Sequence, residues 1–89
     1  MDNIPEKFLL TLDNNNINEV IDFGEYVKKI EIFDKKGKLL YSAENSKWDG
    51  KINGEPLRAG VYIYYVEQSD NRKSYGVIYI EIKWQVFFR

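Results

Sequence analysis

Ile78-Tyr79-Ile80-Glu81-Ile82-Lys83-Trp84-Gln85-Val86-Phe87-Phe88-Arg89 is the stretch whose pattern decides the fold. Ile78, Ile80, Ile82, Trp84, Val86 and Phe88 fall on even positions, while Glu81, Lys83, Gln85 and Arg89 fall on odd ones. A two-residue period sends the two sets to opposite faces of a strand, whereas a helix would scatter them around its axis. The run is longer than the usual strand of about 5–6 residues, so a bend or an exchange of partners is expected part-way along it.

Moving upstream, Ser69 to Lys73 reads as a polar turn. Before it, Val61-Tyr62-Ile63-Tyr64-Tyr65-Val66 is apolar at both parities, as a central strand covered on both faces would be. Glu44 to Gly60 is punctuated by Trp48-Asp49-Gly50, Asn53-Gly54 and Ala59-Gly60, and Asn-Gly favours the primed turn that joins twisted antiparallel strands. Val27 to Phe33, the turn Asp34-Lys35-Lys36-Gly37 and the return from Lys38 to Ser42 form the clearest hairpin. Nearer the start, Lys7 to Leu12 reads as a first strand and Asp13-Asn14-Asn15-Asn16 as a turn. Glu19 to Phe23, ended by Gly24, reads as a second strand. No helix, internal repeat or linker stands out. The residues therefore predict one all-β domain over 1–89, with six to seven antiparallel strands in two sheets.

The chain has 89 residues and no Cys, so neither a disulfide nor a thiolate metal cluster reinforces so small a core. Packing must hold it, and seven Tyr, five Phe and two Trp supply the bulk. Thirteen basic and fourteen acidic residues leave a net charge of −1 without a long run of either sign, which favours neither nucleic acid nor a charged membrane as partner. No apolar run is long enough for a spanning helix. Met1-Asp2-Asn3-Ile4-Pro5 has neither the basic start nor the apolar segment of a signal peptide, so an export signal is expected upstream in a longer parent. Catalysis finds little support: the chain has no His, no Cys nucleophile and no phosphate-cradling Gly loop. A non-enzymatic domain without a cofactor is expected.

Several groups admit two readings. Trp48-Asp49-Gly50 could form a recognition surface; the favoured structural reading has Trp48 plugging one end of the sandwich, Asp49 bracing the turn and Gly50 supplying positive φ. Asp13, Asn14, Asn15, Asn16, Asn18 and Glu19 are oxygen-rich, as a Ca²⁺ site requires, yet carry only two charges and no Gly, which favours a solvated turn. Tyr62 and Tyr64 share one strand face, and Tyr75 and Tyr79 share another. If those faces adjoin in solvent they form an aromatic platform for a sugar ring or a protein; otherwise they belong to the core, the favoured reading. Lys35, Lys36 and Lys38 sit on a turn, where solvated lysine is the default and also guards a hairpin tip against pairing.

The stretch Ile30-Glu31-Ile32-Phe33-Asp34-Lys35-Lys36-Gly37-Lys38-Leu39-Leu40-Tyr41 is followed by Trp48-Asp49-Gly50, Asn53-Gly54, Leu57, Gly60-Val61-Tyr62 and Tyr64. In that order and spacing it closely resembles the gliding-motility-associated C-terminal domain, the type B sorting domain of type IX secretion cargo. Ile4-Pro5 with Phe8, and Ile17-Asn18-Glu19-Val20, resemble the opening of that family. The turn, Trp-Asp-Gly and Gly-Val-Tyr stretches are also similar, more weakly, to the immunoglobulin-like domain of the flagellar hook-capping protein. Leu12-Asp13-Asn14-Asn15-Asn16 lacks the Pro and Gly of the family's first turn, Lys35-Lys36 replaces its Arg-Trp, and Lys83 to Arg89 extends past its usual end.

The resemblance implies an immunoglobulin-like antiparallel β-sandwich, secreted or held at the cell surface, that directs export and attachment of a cargo. Its implied partner is a protein, either the secretion translocon or an outer-membrane surface partner. Contact is expected from the loops near Trp48, Asp49 and Gly60, from Tyr62 and Tyr64, and from Trp84, Phe87, Phe88 and Arg89 on the last strand. An accessory carbohydrate-binding or structural module of a surface protein is the alternative.

Overall fold

The computed structural model describes residues 4–13 and 20–83. Their strands are β1 (Lys7–Asp13), β2 (Ile21–Asp22), β3 (Val27–Asp34), β4 (Leu39–Ala43), β5 (Lys47–Trp48), β6 (Lys51–Ile52), β7 (Glu55–Pro56), β8 (Gly60–Gln68) and β9 (Lys73–Lys83). No helix occurs among the described residues. The five longer strands form one sheet in the order β1-β9-β8-β3-β4, and the four two-residue strands pair as β2 with β5 and β6 with β7.

The all-β expectation holds, with two refinements. Antiparallel pairing describes every ladder except β1 with β9, which run parallel from Lys7↔Val77 to Asp13↔Lys83. Alternating residue patterns fix which face a side chain takes, but they carry no information about strand direction. The second layer is also cut into short ladders, because its segment from Ser46 to Pro56 is bent repeatedly at Gly50 and Asn53-Gly54. The expected exchange of partners along the last strand takes the form of an overlap. β9 pairs with β8 from Lys73 to Ile80 and with β1 from Val77 to Lys83.

Local chemistry accounts for the turns. Asp34 Oδ1 accepts the amides of Lys36 and Lys38, each at 2.9 Å, and Gly37 N donates to the Asp34 carbonyl at 2.9 Å. Those amides, Lys38 first, hold the Asp34 carboxyl below its usual 3.8, against an opposing desolvation effect. Ile52↔Glu55 leaves Asn53-Gly54 as a two-residue loop with φ of 53° and 82°, the two left-handed residues of a type I′ turn.

The core lies between the large sheet and the short ladders. Leu10, Ile30, Ile32, Tyr64, Val66, Ile78 and Ile80 enter it from the sheet, and Ile21, Phe23 and Trp48 meet them from the other layer. Even residues of β9 and β8 point inward, as period two requires. Gly76 has a particular place here. A Cβ at this position would come 2.8 Å from the Tyr64 ring and would collide with the Glu6 carbonyl, which accepts the Val77 amide at 2.9 Å. The missing side chain lets the segment before β1 cross beneath β9.

Candidate functional site

The β8–β9 register decides which aromatic rings face inward and which face outward. Tyr62 lies opposite Ile78, and Tyr64 lies opposite Gly76, on the inner face. Tyr65 lies opposite Tyr75 and Val61 opposite Tyr79, on the outer face. The two tyrosine pairs named from the sequence therefore look in opposite directions and do not form one platform.

Tyr64 belongs to the core. Its ring meets Phe23 at 5.2 Å and Phe8 edge-on at 5.5 Å between centroids, and Phe8 and Phe23 meet at 4.9 Å. Its hydroxyl donates to the Pro5 carbonyl, and burial pushes the phenol pKa up, with the charge of Glu6 adding to the effect. Tyr62 is half-buried and donates to the Arg58 carbonyl at 2.8 Å; burial raises its pKa too.

Trp48 is also internal, at 2% exposure. It pairs with Ile21, its ring lies 5.9 Å from that of Tyr41, and its Nε1–H donates to the Lys51 carbonyl at 3.1 Å. Asp49 is exposed, and its Oδ1 accepts the Lys51 amide at 3.0 Å. Gly50 has φ of 79°, and a Cβ there would come 2.6 Å from Leu10 Cδ2, so the bend both needs glycine's freedom and sits tight on the core. These are the plugging, bracing and positive-φ roles of the structural reading. Gly60 is exposed where β8 begins. Trp84, Phe87, Phe88 and Arg89 lie outside the described residues, as does most of the oxygen-rich run from Asp13 to Glu19.

Among the described residues, the outer face of the large sheet presents an accessible apolar surface. Tyr75 is 74% exposed, Tyr79 42% and Leu9 64%. Leu9, Tyr79 and Val61 form one row across β1, β9 and β8, and Val77 and Ile63 form the next with Phe33 of β3. The following row is Tyr75, Tyr65 and Glu31, and the last is Lys73, Glu67 and Lys29. A shallow groove runs along β3 and β8 beneath Tyr75. The face is thus an apolar band with a charged border, a composition that many protein contact surfaces share. Alternation flags Tyr75 and Tyr79, but β8 is apolar at both parities, so nothing in its residues separates Val61 and Tyr65 from Tyr62 and Tyr64.

Geometry thus defines a small immunoglobulin-like β domain that covers one face of its main sheet and, among the described residues, holds apolar side chains of the other face in solvent. The chain belongs to the CHU_C type IX secretion signal domain family, whose model matches residues 3–82. That membership gives it a sorting role in type IX secretion and implies a secreted or surface-attached parent protein that meets the secretion machinery.

No curated protein matches the chain. Among solved structures, CopC from Methylosinus trichosporium OB3b is similar, with a TM-score of 0.52 and 17% identity over 93% of this chain and 91% of that one. The CBM51-2 and INT domains of Clostridium perfringens ZmpB give a TM-score of 0.47 and 20% identity over 86% of this chain and 19% of that one. At such identities the likeness to CopC is one of fold alone.

Proposed function

We propose that this domain is an export and surface-attachment signal read by direct protein–protein contact, and that the outer face of its large sheet is the surface read. The observation that carries this reading is the row Leu9–Tyr79–Val61 with Tyr75 nearby, large apolar side chains held in solvent on a rigid sheet. Tyrosine suits such a surface, because it offers wide contact area while losing few rotamers on binding. The partner is the type IX translocon or an outer-membrane surface protein. Asp49 and Gly60 remain open to it, and Trp84, Phe87, Phe88 and Arg89 stay in the proposed contact set. Trp48 and Tyr64 act from within, by fixing the sheet that displays the contact residues.

The test is a fluorescent reporter fused ahead of residues 1–89 and expressed in cells with and without a type IX translocon. Export only where the translocon is present supports the reading; equal retention in both cell types removes it. Retention of the domain on an immobilised polysaccharide, abolished by Tyr75→Ala, is the result that would favour a carbohydrate ligand instead.

A further inference from the structure

We infer that the outer edge of β1, unpaired among the described residues, takes up an extended segment of the partner protein as an added strand. This rests on the sorting function proposed above and assigns the recognition to particular backbone groups. In the parallel ladder, Val77 N donates to the Glu6 carbonyl and the register runs unbroken from Lys7↔Val77 to Asp13↔Lys83. Parallel pairing uses the N–H and C=O of alternate residues, so Phe8, Leu10 and Leu12 turn theirs toward β9. Lys7, Leu9 and Thr11 turn theirs the other way, where no described strand pairs with them.

N–H and C=O groups repeating every second residue along the strand match one ligand chemistry: another extended polypeptide. Sheet edges are commonly blunted by Pro, by a bulge, by shortness or by charge, and the charged residues of β1, Lys7 and Asp13, stand only at its two ends. Between them β1 has no Pro, bulge or charge, and Pro5, which lacks an N–H, marks where pairing would stop. The opposite edge differs, because β4 has five residues and its ladder with β3 is interrupted between Ile32 and Phe33. Beside the β1 edge, Leu9 opens the apolar row that continues through Tyr79 to Val61. A strand added there with an apolar residue next to Leu9 would extend both the backbone ladder and the outer apolar face.

Thr11→Pro removes only an outward-facing donor and leaves the β9-facing groups of Leu10 and Leu12 in place. Fused to the reporter, this variant is expected to be folded by circular dichroism and to lower translocon-dependent export by about tenfold or more. Lys35→Pro, at a turn position that suits proline, is expected to export like the wild type. If Thr11→Pro does not fold, Lys7→Pro takes its place, since it removes another outward-facing donor at the first position of the strand, where proline is tolerated, and it is expected to lose export in the same way. Wild-type export undiminished by whichever folded edge variant is tested overturns the inference and leaves the sorting function standing. Wild-type retention in translocon-positive cells overturns the sorting function itself. Export intact beside a wild-type dimer that Thr11→Pro converts to monomer would overturn the inference in favour of self-pairing.

Discussion

Gly76 faces Tyr64 across the β8–β9 ladder, and the space a side chain would take at position 76 holds the Tyr64 ring and the Glu6 carbonyl. One absent methyl group thus lets the chain before β1 pass under β9, where Pro5 and Glu6 accept hydrogen bonds from Tyr64 and Val77.

Gly76→Ala is therefore expected to destabilise the domain by about 1–3 kcal/mol, because the obstructing atoms include backbone that cannot swing aside. For a domain of this size each kcal/mol moves the melting temperature by about 4–8 °C, so thermal denaturation reads the change directly. A melt unchanged from wild type would mean that the Ile4–Glu6 segment does not lie where it is described.

Tyr64 predicts an alkaline limit. Its folded-state pKa is raised above 10.0, so the protonated phenol is the form the fold favours. Its contribution is complete below the unfolded pKa, near 10, and is lost as pH rises through the higher folded value. Tyr64→Phe is expected to lose about 1–2 kcal/mol at neutral pH, with the Pro5 carbonyl left without its donor. The gap between variant and wild type should then narrow above about pH 10 in urea titrations. Tyr62, also raised, is present in both proteins and cancels from the comparison.

Asp34 predicts the acid counterpart. Its pKa is lowered from 3.8 by the Lys38 and Lys36 amides, so its contribution is present above the unfolded value and disappears as pH falls through the folded one. Asp34→Ala should be less stable than wild type at neutral pH and converge with it below about pH 3.8. Parallel stability curves across that range would contradict the carboxylate's role in the turn.

Trp48→Ala is expected to cost about 3–5 kcal/mol through the cavity left between Ile21 and Tyr41, enough to unfold much of so small a domain. Trp48→Phe keeps much of the packing but cannot donate to Lys51, and should fall between the two in chemical denaturation.

These residues also show what the sequence made legible. Alternation placed Ile78 and Ile80 inward because Ile78, Ile80 and Ile82 recur at every second position with Glu81 and Lys83 on the other parity, although Val77 and Tyr79 make the outer face apolar as well. Asn53-Gly54 formed the primed turn because both positions need positive φ. The bracing role of Asp49 and the internal place of Trp48 followed from turn chemistry. The partition of the tyrosines did not, because Val61 to Val66 is apolar at both parities and only its register with Gly76 and Tyr75 assigns each ring a side. The parallel course of β1 was equally hidden, since direction depends on the path of the chain and leaves no mark on a two-residue pattern.

The outer face is tested most directly by Tyr75→Ala with Tyr79→Ala in the reporter fusion, measured for melting temperature and for translocon-dependent export together. Both rings stand in solvent, so the melt should shift by no more than about 4–8 °C while export falls about tenfold or more. A double variant that melts like the wild type and is exported as fully as the wild type would show that the partner reads some other part of the domain.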